Sequence, residues 1–157
     1  ALADTLSMAT AGKTAQNDSG AGRPDEELLN RNLLMEHLSL LGPERFGKLL
    51  RQYHVQAGQL LDGVAQALSR NDRNETRELA HKLVGASGNF GLEQLKVALA
   101  GLEKATDDES AAALARRLGN IRELYLETRQ ALNRVLSEHQ VPPEEHDYAT
   151  EGSVANR

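Results

Sequence analysis

Cysteine is absent from this chain of 157 residues. Disulfides and thiolate metal centres are therefore excluded, and the absence fits a reducing compartment. Tryptophan is missing too, and aromatics make up only 3% of a sequence that is 39% apolar, so Leu and Ala must supply most of the core, as suits helices. No window approaches the roughly 18 apolar residues that a membrane helix needs, and the N-terminus lacks a charged region followed by a compact apolar one. The chain is expected to be soluble and to make no direct membrane contact. Positive charge is not in excess: the formal net charge of -5 argues against nonspecific nucleic-acid binding, which needs a positive surface. A folded protein partner fits better. Also missing are period-two alternation long enough for a strand and any fixed repeat of about 20 to 50 residues, which argues against sheets and solenoids.

What is present is an organised helical middle between two poorly patterned ends. Residues 1–24 are rich in Ala, Gly, Ser, Thr, Asn and Asp and read as a flexible linker, because such composition cannot bury enough surface to offset chain entropy. Residues 140–157, with Pro142-Pro143 and several acidic groups, read as a flexible tail. Ala1 in place of Met fits an excerpt from a longer polypeptide. Residues 25–139 carry five predicted helices. The first is short, starts at Asp25 after Pro24, and runs through Leu29, Leu33 and Leu38 to Gly42. The second starts at Pro43 and carries the stripe Phe46, Leu50, Tyr53, Ala57, Leu60, Val64 and Ala67. The third follows Asn71 and Asp72 and reaches about Gly88; the fourth bears Leu92, Leu95, Leu99 and Leu102. The fifth is long, with Leu114, Leu118, Ile121, Tyr125, Thr128, Leu132 and Val135 on one face. Short connections make neighbours antiparallel, so the fold class is all-α: an up-down antiparallel four-helix bundle with a short additional N-terminal capping helix.

The third helix holds the candidate site. Leu79, Leu83, Ala86 and Phe90 recur at spacings of four and three, which stacks them on one face. His81 lies roughly 200° round the axis from that face, so its ring is expected to meet solvent. Gly85 is one turn on and only about 40° away, leaving no side chain beside the imidazole. A glycine inside a helix costs about 1 kcal/mol relative to alanine, so room for an approaching partner is the natural reason to keep it. An exposed imidazole is mostly neutral near pH 7, with one ring nitrogen lone pair free to attack. Arg77 and Lys82 flank it and offer charge to a phosphoryl group held there.

Ala80-His81-Lys82-Leu83-Val84-Gly85, followed by Gly91, Leu95 and Leu102-Glu103, resembles the histidine-containing phosphotransfer domain, whose members often read Ala-His-x-Leu-Lys-Gly, then Gly, then Leu-Glu. The likeness covers roughly residues 25–139 and extends to helix order. It implies that His81 accepts a phosphoryl group from a receiver-domain aspartate and passes it to a response-regulator aspartate in a multistep phosphorelay. It further implies no cofactor of the domain's own, Mg²⁺ being supplied by the receiver, and no autonomous kinase activity. The implied docking patch comprises Ala80, Val84, Gly85 and Gly88, with Lys48 and Gln52 from the second helix. The implied setting is a monomeric domain in the cytoplasm, C-terminal in a hybrid sensor kinase, with receiver domains of that kinase and of a response regulator as partners. One departure stands out: the family usually has Lys three residues after the histidine, and here that residue is Val84, so Lys82 or Arg77 must substitute or the phosphohistidine is less well neutralised.

Three rival readings are open. Glu78-Leu79-Ala80-His81 matches the Glu-x-x-His motif of di-metal bundles, but that site needs a second copy and inward-facing ligands. A histidine kinase dimerisation domain commonly has an acidic residue where this chain has Lys82. A helical scaffold or adaptor, in which His81 is not phosphorylated, would keep full function after His81→Gln. His37, His54, His139 and His146 show no metal-pair spacing, and no metal site is expected; His54, beside Tyr53, is read as a partly covered surface residue.

Overall fold

The computed structural model describes residues 25–139 and 141; the linker reading and nearly all of the tail reading lie outside the described residues. Every regular element described is a helix: α1 (Asp25–Leu28), α2 (Arg31–Leu41), α3 (Pro43–Ser69), α4 (Arg73–Asn89), α5 (Glu93–Ala105) and α6 (Ala111–Ser137). Helices α3 to α6 pack in a closed ring, each against the next and α6 back against α3, while α1 rests on α5 and α6 and α2 on α3. The cross-helix contacts are antiparallel, because numbers rise on one helix as they fall on its neighbour: Tyr53 meets Ser87 while Gly63 meets Leu79.

The first predicted helix is in fact two. A single helix buries one stripe, yet Leu28 and Leu29 are both buried, at 1% and 3% exposure. The break between them and α2 permits this. Asn30 caps α2 by accepting a hydrogen bond from the Leu33 N–H at 3.1 Å. Its own N–H donates to the Gly91 carbonyl at 2.7 Å, which ties this corner to the turn after α4. Gly91 has φ of +71°, and a Cβ there would lie 3.1 Å from the Asn30 carbonyl oxygen, so this turn needs glycine on both counts. Asp72 and Ser110 cap α4 and α6 in the same way, each accepting a backbone N–H at 3.1 Å.

The stripes predicted for α5 and α6 are buried as expected: Leu95, Leu99 and Leu102 on one, and Leu114 through Val135 on the other, with Leu92 buried at the α5 N-cap. On α3, Leu61 rather than Leu60 is the core residue at that level. Complete burial of each such side chain is worth about 1.5 to 3 kcal/mol. His54 corrects the sequence reading. It is 8% exposed, and its Nδ1 lies 2.6 Å from the Tyr125 hydroxyl of α6, a partner invisible at a distance of 71 residues. Val141, placed in the tail by composition, is buried as well, its N–H donating to the Leu136 carbonyl.

Helix α4 buries Thr76, Ala80, Leu83 and Ser87, a face turned about 60° from the predicted Leu79, Leu83, Ala86 and Phe90. Two of those buried residues are polar and satisfied: Thr76 Oγ1 donates to the Asp72 carbonyl, and Ser87 Oγ pairs with the Tyr53 hydroxyl at 2.8 Å. Hydrophobic periodicity overlooks such residues. Leu79 and Ala86 move to the flank facing α3, where they are half-buried.

Candidate functional site

His81 stands on the solvent lip of the seam between α4 and α5, its side chain 74% exposed. The turn Gly88-Asn89-Phe90-Gly91 folds α5 back along α4, and the resulting register sets Glu103 opposite the histidine. Glu103 Oε2 lies 3.0 Å from His81 Nδ1. A carboxylate only accepts, so Nδ1 carries the proton and donates it. In a neutral ring the lone pair then belongs to Nε2, the nitrogen away from Glu103. A second carboxylate and a cation lie one turn down the same seam, where Arg77 forms an ion pair with Asp107 and also donates to Asn74 Oδ1 at 3.0 Å.

The residues singled out in the sequence separate in space. Gly85 is exposed, and a Cβ there would meet nothing within 4 Å, so the surface beside His81 is bare backbone. Lys82 is exposed, about 100° round α4 from His81. Val84 is half-buried and packs on the core. Gly88 lies under the stem of Lys96, whose Cδ would be 3.3 Å from a Cβ at that position. Ala80 is completely buried and presents no surface to a partner, which corrects its place in the docking patch; it belongs to the rotated core face. Lys48 and Gln52 are exposed, but the Tyr53–Ser87 contact sets them beside the C-terminal end of α4 rather than beside His81. Arg77 is engaged by Asp107 and Asn74, away from a free approach to the ring. The one contact to the imidazole that the separate residue readings did not assign is Glu103. Its signal was present in the Leu102-Glu103 pair, but pairing it with His81 requires the helix register.

The di-metal reading fails on this geometry: Glu78 and His81 are both exposed, whereas that chemistry needs ligands facing the bundle interior. Among the described residues no helix is long and apolar enough to cross a membrane.

The described residues thus form an all-helical bundle that holds His81 at its surface with Nδ1 paired to Glu103. The model of the Hpt domain family matches residues 48–138, more than half of the chain, and the chain belongs to that family. Membership places it in histidine phosphotransfer within two-component phosphorelays, where such domains interact with receiver domains. No curated protein and no solved structure matches the chain.

Proposed function

We propose that His81 accepts a phosphoryl group from a receiver-domain aspartate and passes it to an aspartate of a response regulator. The observation that carries this reading is the exposed imidazole with Nδ1 held by Glu103 at 3.0 Å, which turns the lone pair of Nε2 outward. That nitrogen attacks the phosphorus of an aspartyl phosphate in line. The N–P bond forms as the P–O bond to aspartate breaks, and the aspartate carboxylate leaves with the electron pair. Nδ1 keeps its proton throughout. The ring therefore becomes cationic on phosphorylation, and the Glu103 carboxylate offsets that charge through a charge-assisted hydrogen bond. The reverse displacement by a second aspartate returns the neutral ring. The catalytic burden on the bundle is positioning, since Mg²⁺ belongs to the receiver's side of the complex.

In this reading Gly85 and Val84 form the floor on which a receiver settles, and Lys82 its edge. The remaining context is proposed on the same footing: a monomeric, cytoplasmic domain C-terminal in a hybrid sensor kinase, receiving from that kinase's receiver and delivering to a response regulator. The test is incubation of the chain with receiver domains charged with labelled phosphate and Mg²⁺. Acid-labile, base-stable label is expected on the wild type and absent from His81→Gln. Charged receivers that label neither protein, with the bundle shown to be folded, would favour an adaptor instead.

A further inference from the structure

We infer that Lys104 supplies the cation that holds the phosphoryl group on His81, an inference that rests on the phosphoacceptor reading above. A protein-bound phosphoryl group carries roughly one and a half to two negative charges near pH 7, and here it arrives beside a carboxylate already paired with the ring. Such a site needs a positive partner. Val84 offers none, Arg77 is spent on Asp107 and Asn74, and Lys82 projects from the flank of α4 that faces α3 rather than α5.

The register of the seam points elsewhere. His81 meets Glu103 and Gly88 meets Lys96, so seven residues forward on α4 match seven residues back on α5. Lys104 therefore stands level with His81. Leu102, on one side of Glu103, is completely buried, and Lys104, about 100° round in the other direction, is exposed. The lysine thus stands on the solvent-facing side of α5, just beyond the seam residue Glu103 and level with the histidine, so its long stem must turn toward the seam to meet a phosphoryl group. Side chains on a helix lean toward its N-terminus, and α5 runs opposite to α4. The stem of Lys104 accordingly leans along α4 toward Val84 and the bare surface of Gly85. Helices in contact lie about 8 to 10 Å apart, a gap that a lysine stem and a phosphoryl group on Nε2 together span. Among the described residues Lys104 enters no ion pair, so nothing must be broken for it to turn to the phosphoryl oxygens.

The test charges His81 without a receiver, using phosphoramidate, which transfers its phosphoryl group to the ring with release of ammonia. The titration of the phosphohistidine is then followed by ³¹P NMR. An adjacent ammonium favours the dianion and lowers the midpoint, so Lys104→Met is expected to raise it by about half a pH unit or more, and Lys104→Arg to leave it near wild type. Lys96→Met, about 10 Å further along the seam, is expected to change nothing. Val84→Lys added to Lys104→Met is expected to bring the midpoint back. A folded Lys104→Met protein that titrates with the wild type would overturn this inference alone. A wild type that forms no phosphohistidine at His81 would overturn it together with the phosphoacceptor reading.

Discussion

The pairing of Glu103 with His81 does two separable things. In the proposed transfer the acceptor oxygen fixes the ring's tautomer and orientation, and the carboxylate charge offsets the cationic ring that phosphorylation of His81 would form. Substitution can pull them apart. Glu103→Gln retains an acceptor and is expected to keep most of the transfer rate, whereas Glu103→Ala loses both functions and should slow transfer about tenfold, the equivalent of about 1.4 kcal/mol for a charge-assisted hydrogen bond at a mostly exposed site. Single-turnover rates at saturating charged receiver measure this directly. Equal rates for all three proteins would show that the ring needs no orientation from Glu103. At this scale His81 was legible from its neighbours in the chain, since its exposure follows from helical spacing alone. Glu103 was not, because 22 residues and a turn separate it from the ring.

Helix α4 shows what a hydrophobic stripe can and cannot say. His81 stays exposed whether the buried face is centred on Leu79 and Leu83 or on Ala80 and Leu83, so its exposure survives the rotation. The predicted docking patch loses Ala80, which goes into the core. What remains beside the histidine is Gly85, with open space around it. Replacing that glycine with glutamate removes a poor helix former, so the bundle should be unchanged or gain a few tenths of a kcal/mol in thermal or urea unfolding. Transfer from a charged receiver should nevertheless fall at least about tenfold, because a bulky anion then occupies the approach to Nε2 and repels the incoming phosphate. The loss is expected chiefly in KM for the receiver. Normal KM in Gly85→Glu would remove the steric account of this position.

The ring of four helices is joined across its long seam by His54 of α3 and Tyr125 of α6, packed beside Tyr53, whose hydroxyl burial pushes up to about 12. Burial drives the His54 imidazole down to about 3, and the nearby charge of Arg129 acts in the same direction. The unfolded chain therefore binds a proton that the folded one refuses, between an ordinary histidine value of about 6.5 and the depressed value. The stabilising contribution is fully present above that window and is lost as the pH falls through it. Urea unfolding should show a loss of about 1 kcal/mol between pH 6.5 and 5.5, a slope that His54→Gln abolishes whatever its own stability. A slope that persists in His54→Gln would assign the acid sensitivity to another group.

At the scale of the whole molecule, the amino-acid sequence by itself determined that residues 25–139 are helical, where α3 and α4 begin, most of the buried stripes of α5 and α6, and that His81 faces solvent. These are consequences of local spacing and capping, which neighbours in the chain control. The tertiary structure alone decided the break at Leu29-Asn30, the burial of Ala80 and His54, and the meeting of His81 with Glu103. Each of these depends on how one helix is seated against another. Asn30 turns because the Gly91 carbonyl waits for its N–H, Thr76 and Ser87 can be buried because partners satisfy them, and Glu103 reaches His81 because a tight turn sets the register of α5 on α4.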